Sequence, residues 1–346
     1  MATPAVRRIA PGPLCWTGPM DSDVAVAVEE GDLDELIRLV DRLCSARDWD
    51  GLAELRDRCH RAHEHSGRQL WPAAAHAEYR LALEAPGPWA AGVLVEGAGR
   101  FAAGPLSEVA ASTHEWHDLA PHLHPGPPAV ITGHERVLRG EDLSGAALPG
   151  PPVLDLPLRL ERWEPPYCLA KYRAHEADFP APALPSLHAV TLPPPAAPGS
   201  DPDSVDALVG VTAHWVTDSG GRANAVVVDG DAAAAIAAVG ATQARIGGFA
   251  GADALAALAW AGAAGGAHGR RRGAAAGRLA AWWAAAGLGG LLDPWPPDPH
   301  ALGEAVTGLR WFAWDAGHPA AGWVLRVAIE DPGTGRAWAL DAVDSG

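Results

Sequence analysis

"LRWFAWDAGHPAAGWVLRVAIEDPGTGRAWALDAVD" runs from Leu309 to Asp344 and decides the fold class. Large apolar residues alternate with polar ones on either side of two turn sequences, DAGHPAAG and DPGTG. That is the two-residue period of strands in a sheet, so the stretch predicts a three-stranded antiparallel meander.

Working back from the meander, the signals are mixed. "GADALAALAWAGAA" (Gly251 to Ala264) predicts a helix, "TQARIGG" (Thr242 to Gly248) a strand, and "DAAAAIAAVG" (Asp231 to Gly240) a short helix. "VGVTAHWVTDSGGRANAVVVDG" (Val209 to Gly230) reads as two strands joined by a hairpin turn at Ser219, Gly220 and Gly221. Strands grouped with helices, without strict β-α-β alternation, define an α+β domain with a mainly antiparallel sheet over residues 204–346.

Residues 146–203 differ in texture and read as a proline-rich extended connector. Leu154, Leu156, Leu158 and Leu160 alternate as in a strand, but the interspersed prolines confine them to an edge strand or an extended segment. "TLPPPAAPGSDPDS" (Thr191 to Ser204) has the composition of an exposed loop.

Residues 21–145 predict a string of helices, an all-α domain in the form of an irregular helical array or solenoid-like bundle. Asp32 and Glu35 form a capping-box pattern ahead of Leu36, Val40 and Leu43, which share one helix face. Leu52, Leu55, Cys59 and Ala62 repeat the pattern, and the short connection implies an antiparallel pair. No fixed repeat period is present. Residues 1–20 read as a flexible tail with no apolar region of the kind a secretory signal needs.

Composition constrains the function. Acidic residues number 42 against 26 basic ones, and the net charge of −16 argues against nucleic acid or an anionic membrane as a partner. Lys171 is the single lysine, and glycine, proline and tryptophan are abundant. This is the signature of a GC-rich gene, which weakens any inference from abundant arginine or glycine alone. With 15 tryptophans against 4 phenylalanines and 3 tyrosines, tryptophan is the expected large core filler. The four cysteines match no zinc module and predict free thiols in a cytoplasmic protein. "GAAAGRLAAWWAAAGLGGLL" (Gly273 to Leu292) is long and apolar, but Arg278 and the following prolines make it a buried helix rather than a membrane span.

The familiar catalytic patterns fail. Cys59, His60, His63 and His65 cluster on one helix without further ligands, and His114-Glu115 is followed by His117, one residue short of the H-E-x-x-H spacing that stacks two imidazoles on zinc. His134-Glu135 and His175-Glu176 lack the second histidine, so no metal is assigned. Ser219 sits in no nucleophile elbow, and Cys168 has only Lys171 and His175 nearby in sequence to activate it. No dinucleotide or Walker loop is present, and no cofactor is expected.

One segment remains, "GAAGGAHGRRRGAAAGRLAAWW" (Gly262 to Trp283). A helix starting near Gly269 would place Arg271 and Arg278 on one face above Trp282, with free backbone N–H groups at its start. His268, Arg270, Arg271, Arg272 and Arg278 are therefore the candidate residues for binding a phosphate or carboxylate. The bland alternative is a close-packed corner, with Gly265 and Gly266 ending one helix and Gly273 and Gly277 admitting a neighbouring backbone. The leading functional expectation is a non-catalytic scaffold that binds an unidentified protein partner through its helical array. The alternatives are an enzyme or sensor for an anionic small molecule at the Gly/Arg corner and, more distantly, a metal-dependent hydrolase.

Overall fold

The computed structural model describes residues 19–66, 69–317 and 321–346, without the side chains of residues 19–23 and 63–66. The tail expected over residues 1–20 thus lies outside the described residues, except that Pro19 and Met20 open the first helix. The chain divides into two compact units, residues 1–81 and 82–346, and this division falls inside the expected helical stretch.

The first unit is helical: α1 (Pro19–Glu30), α2 (Leu33–Ala46), α3 (Trp49–Ser66) and most of α4 (Trp71–Glu84). Asp32 caps α2 by accepting hydrogen bonds from the backbone N–H of Asp34 and Glu35, two of the donors that a helix start leaves unpaired. The Glu35 side chain does not reach back to complete a capping box; it accepts from Arg38 and Arg42 along the same helix. Leu36, Leu39, Val40 and Leu43 of α2 and Leu52, Leu55 and Cys59 of α3 are buried, as their three-and-four spacing requires.

The second unit opens with α5 (Gly87–Gly92), α6 (Leu106–Thr113), α7 (Trp116–Leu119), a 3-10 turn at Ala120–His122 and α8 (Pro127–Leu138). A long irregular stretch follows, broken by the small ladder of β1 (Lys171–Tyr172) with β2 (Ala177–Asp178) and by β3 (His188–Val190). Then come α9 (Pro202–Gly210), α10 (Ala213–Ser219), β4 (Arg222–Asp229), α11 (Ala232–Ala238) and β5 (Ala244–Phe249). The chain finishes with α12 (Gly251–Ala263), α13 (Ala274–Leu288), α14 (Pro299–Gly308), β6 (Arg310–Asp315), β7 (Trp323–Asp331) and β8 (Arg336–Asp344).

The main sheet has the order β3-β5-β6-β7-β8-β4, and every neighbour is antiparallel. The fold is thus helical toward the N-terminus and α+β toward the C-terminus, and β6, β7 and β8 form the meander that the closing stretch predicts. Residues 318–320 of its first turn lie outside the described residues. The alternation in β7 and β8 is between large and small apolar residues rather than between apolar and polar ones. Leu325, Val327, Ile329, Trp338 and Leu340 enter the larger core, whereas Ala328, Ala337 and Ala339 lie in a second core with Ile236 of α11. Both faces of these central strands are covered, and the charged residues on the second-core face, Arg326 and Asp341, lie opposite each other and pair at 2.6 Å, largely enclosed.

One expected strand is absent. Val209 to Ser219 do not form half of a hairpin; they run from the end of α9 through a turn at Val211 and Thr212 into α10, which ends at Gly220 in the left-handed conformation, φ 83°. Leu208, Val211 and Trp215 recur at helical spacing and are all buried, and the Trp215 indole N–H donates to the Ala261 carbonyl. β4 pairs instead with β8 at the far end of the chain. Leu154 to Leu160 form no strand; the stretch is irregular, with Asp155 at φ 51° and with Leu154 and Leu156 buried.

Helices α12 and α13 cross closely. A Cβ on Gly277 would lie 2.1 Å from the Ala259 carbonyl oxygen, and one on Gly262 would lie 2.6 Å from the Ala280 Cβ. Only glycine admits that approach. This crossing places residues 264–273, the Gly/Arg corner, at one end of the two helices.

Candidate functional site

The corner begins where α12 ends and doubles back on itself. A side chain at Gly265 or Gly269 would collide with the backbone across the turn, and Arg272 N–H donates to the Ala263 carbonyl at 2.7 Å. Gly273, with φ 98°, then breaks the chain direction, so α13 starts at Ala274 and not near Gly269. Arg271 is consequently a loop residue, and it does not share a helix face with Arg278.

The two arginines have separate carboxylate partners. Arg271 donates Nε and Nη2 hydrogen bonds of 2.8 and 2.7 Å to the two oxygens of Glu108, which also accepts 2.7 Å from the Tyr172 hydroxyl. Its guanidinium lies over the Phe179 ring. Arg278 grips Glu164 in the same two-pronged way, 2.7 Å on each side, while donating to the Pro157 and Arg159 carbonyls. Trp282 lies under that guanidinium, 5.3 Å from its carbon to the ring centre, as its spacing from Arg278 predicts, and its indole N–H also donates to Glu164.

The open N–H groups expected at the helix start are occupied as well. Ala274 N–H donates to Glu108 and Ala275 N–H to Glu135, at 3.2 and 2.8 Å, and Arg139 pairs with Glu135 from one turn along α8. The start of α13 thus binds carboxylates, and those carboxylates belong to α6 and α8 of the same unit. The positive end of a helix and two guanidinium groups supply the compensation that buried anions need.

The balance differs between the two carboxylates. Burial drives the Glu108 carboxyl upward, but the hydrogen bonds and charge of Arg271 outweigh it and hold the group below its ordinary value. Glu135, wholly enclosed, is pushed up to about 7 by burial and by the neighbouring charge of Glu108. Next to it His134 is pushed down to about 4 by burial and then by the Arg278 charge, and its Nδ1 has no hydrogen-bond partner.

The remaining candidates diverge. Arg270 donates to the Gly99 carbonyl at 2.9 Å. His268 is exposed, with its backbone N–H bonded to the Ser219 hydroxyl. Arg272 is also exposed, has no hydrogen-bond or ion-pair partner for its side chain among the described residues, and borders a pocket of about 530 Å³. Val211, Leu279, Ala280, Trp283 and Trp295 form much of its wall, and His214 and Asp155 are its other ionisable residues. His214 is steadied by Asp218 at 2.9 Å. The five candidate residues therefore do not converge on one point.

The other chemistry-bearing residues have structural surroundings. Burial pushes the Cys59 thiol up to about 12 and raises that of Cys168, opposite to the activation that Lys171 and His175 would provide. His114 bonds to the Ala85 carbonyl and the Thr113 hydroxyl, while His117 faces Glu115 and Asp118. His60 contacts Glu78; the side chains of His63 and His65 lie outside the described residues.

Sequence reading missed Glu108 and Glu164 and met Glu135 only in an incomplete zinc motif with His134, not as a partner of the corner. The available signal was an ionisable residue inside an apolar stretch, as in "PLSEVAA" and "ITGHERVL". The pocket has no linear signature, because its walls come from five separate stretches of the chain.

These features define an α+β protein built around an internal ion-pair corner, with one corner arginine turned toward an apolar pocket. The family described as a family of unknown function (DUF6183) matches residues 34–346, and the chain belongs to that family. No curated protein and no solved structure matches it. No helix among the described residues is long and apolar enough to cross a membrane.

Proposed function

We propose that the protein is a non-catalytic sensor or carrier of an anionic small molecule, received by Arg272 at the mouth of the pocket beside α13. One observation carries this reading. Of the arginines at the corner, Arg270, Arg271 and Arg278 are bonded inside the protein, whereas Arg272 presents a guanidinium unpaired among the described residues, next to a concave apolar wall. A pocket of that volume with few polar groups has the form of a small-molecule site. The expected protein partner of the helical stretch has no comparable observation among the described residues. Free thiols at Cys59 and Cys168 support a reducing compartment such as the cytoplasm.

Thermal shift with nucleotides, phosphosugars and organic acids tests the reading on wild type and on Arg272→Ala. At least one anion is expected to raise the Tm of the wild type and to leave that of the variant unchanged. A flat response across the panel would end the proposal.

A further inference from the structure

Resting on that reading, we infer that the ligand is an apolar monocarboxylic acid, its carboxylate on Arg272 and its hydrocarbon body lying along Val211, Leu279, Ala280 and Trp283. Three observations narrow the class to this.

The first is charge. Among the described residues, Arg272 is the only arginine or lysine bordering the pocket, and Asp155 borders it too. Asp218 lies close enough for Arg272 to stabilise its charge, and it is tied to the pocket residue His214. A phosphate dianion or an oligophosphate would meet one cation and the carboxylates of Asp155 and Asp218 in a protein of net charge −16. A single carboxylate needs only one guanidinium, which receives it through two parallel N–H···O bonds.

The second is the wall. Trp283 is 41% exposed although it is a large apolar residue, and its ring lies 4.8 Å from that of Trp295, tilted by 53°. The two indoles form an apolar angle that is exposed at Trp283. Nucleotide bases or sugars bring hydroxyl and amide groups that require partners. Apart from Arg272, His214 and Asp155, the side chains of this pocket are hydrocarbon, indole or glycine, so such groups would be desolvated without compensation.

The third is fixation. The Arg272 backbone N–H is bonded to the Ala263 carbonyl, the Arg271 side chain is held by Glu108, and the Gly273 carbonyl accepts the Gly277 N–H in the first turn of α13. The guanidinium therefore extends from a pinned backbone, which reduces the ordering needed on binding.

Calorimetric titration of the full chain with straight-chain acids of increasing length tests the class, alongside the matched alcohols, matched alkyl phosphates, and a nucleotide. The acids are expected to bind about three- to fourfold more tightly for each added methylene until the pocket is filled. Arg272→Ala should weaken the best acid by about tenfold or more, since a charge-assisted pair is lost. Trp283→Ala should flatten the dependence on length while keeping the requirement for an acid. Ala276→Phe, which intrudes on the pocket, should abolish binding; should it fail to fold, Trp283→Ala carries the test alone.

Tighter binding of the nucleotide or of the alkyl phosphate than of the acid would overturn the inference and leave Arg272 standing as an anion receiver. Equal binding of acid and alcohol would overturn both proposals. Absence of binding by every probe, with the protein folded, would also remove both.

Discussion

Glu164 and Arg278, 114 residues apart in the chain, form a two-pronged ion pair in which neither side chain is exposed to solvent. The Tyr167 hydroxyl and the Trp282 indole also donate to Glu164, so this carboxylate is satisfied from within the protein. The pair joins the irregular chain around residue 164 to α13. Without Glu164 the guanidinium would be a buried cation, and without Arg278 the carboxylate would be a buried anion.

Removing both members should cost clearly less than the two single removals added together. Glu164→Ala is expected to destabilise the protein by about 3–5 kcal/mol, while Glu164→Leu combined with Arg278→Met should lose clearly less than the sum of the two single changes. Urea denaturation measures both. Additive losses in the double variant would show that the two side chains are not coupled.

Arg271 and Arg272 are adjacent yet should behave oppositely. Arg271→Ala strands Glu108 in the interior and is expected to lower stability by about 3 kcal/mol or more. Arg272→Ala removes an exposed side chain with no bonded partner among the described residues and should stay within about 0.5 kcal/mol of wild type. Equal losses in denaturation would contradict the placement of these two residues.

Glu135 and His134 should give stability opposite dependences on pH. The folded Glu135 holds its proton up to about 7 against an ordinary 4.5, so its contribution is present at low pH and is lost as pH rises from 4.5 to 7. A shift of that size corresponds to about 3 kcal/mol. The folded His134, pushed down to about 4 from 6.5, contributes in the other direction, its share appearing as pH rises from 4 to 6.5. Glu135→Gln should therefore gain stability relative to wild type between pH 4.5 and 7, and His134→Gln should lose it between 4 and 6.5. The slope of denaturation midpoint against pH is the readout, because either variant also changes the overall level. Parallel slopes in wild type and both variants would refute the assignment.

Gly277 and Gly210 separate a packing glycine from an idle one. A Cβ at Gly277 would sit 2.1 Å from the Ala259 carbonyl oxygen, so Gly277→Ala should force α12 and α13 apart and destabilise by about 1–3 kcal/mol. Gly210 ends α9, and a methyl group there would find nothing within 4 Å, so Gly210→Ala should be neutral or gain up to about 1 kcal/mol. Thermal denaturation of the two variants distinguishes them.

Much of the fold was legible because its signals are local. The strand period of residues 309–344, the helical spacing of Leu36, Val40 and Leu43, and the turn glycines each act within a few residues, where backbone geometry sets which side chains share a face. The same locality caused the error at Val209 to Ser219. A short run of valines suits either element, and the helix won because it places Leu208, Val211 and Trp215 together in the core.

By itself, then, the sequence determined most of the elements, a helical part followed by an α+β part, and the existence of a Gly/Arg corner. Only the tertiary structure decided what the corner holds. Arg271 meets Glu108 from 163 residues away and Arg278 meets Glu164 from 114 away, and such pairs leave no periodic trace in the chain. Charge is visible in a sequence, but burial and pairing are relations between distant segments. They turned the phosphate-like loop into an anchor for the protein's own carboxylates and left Arg272, without a bonded partner among the described residues, at the border of a pocket.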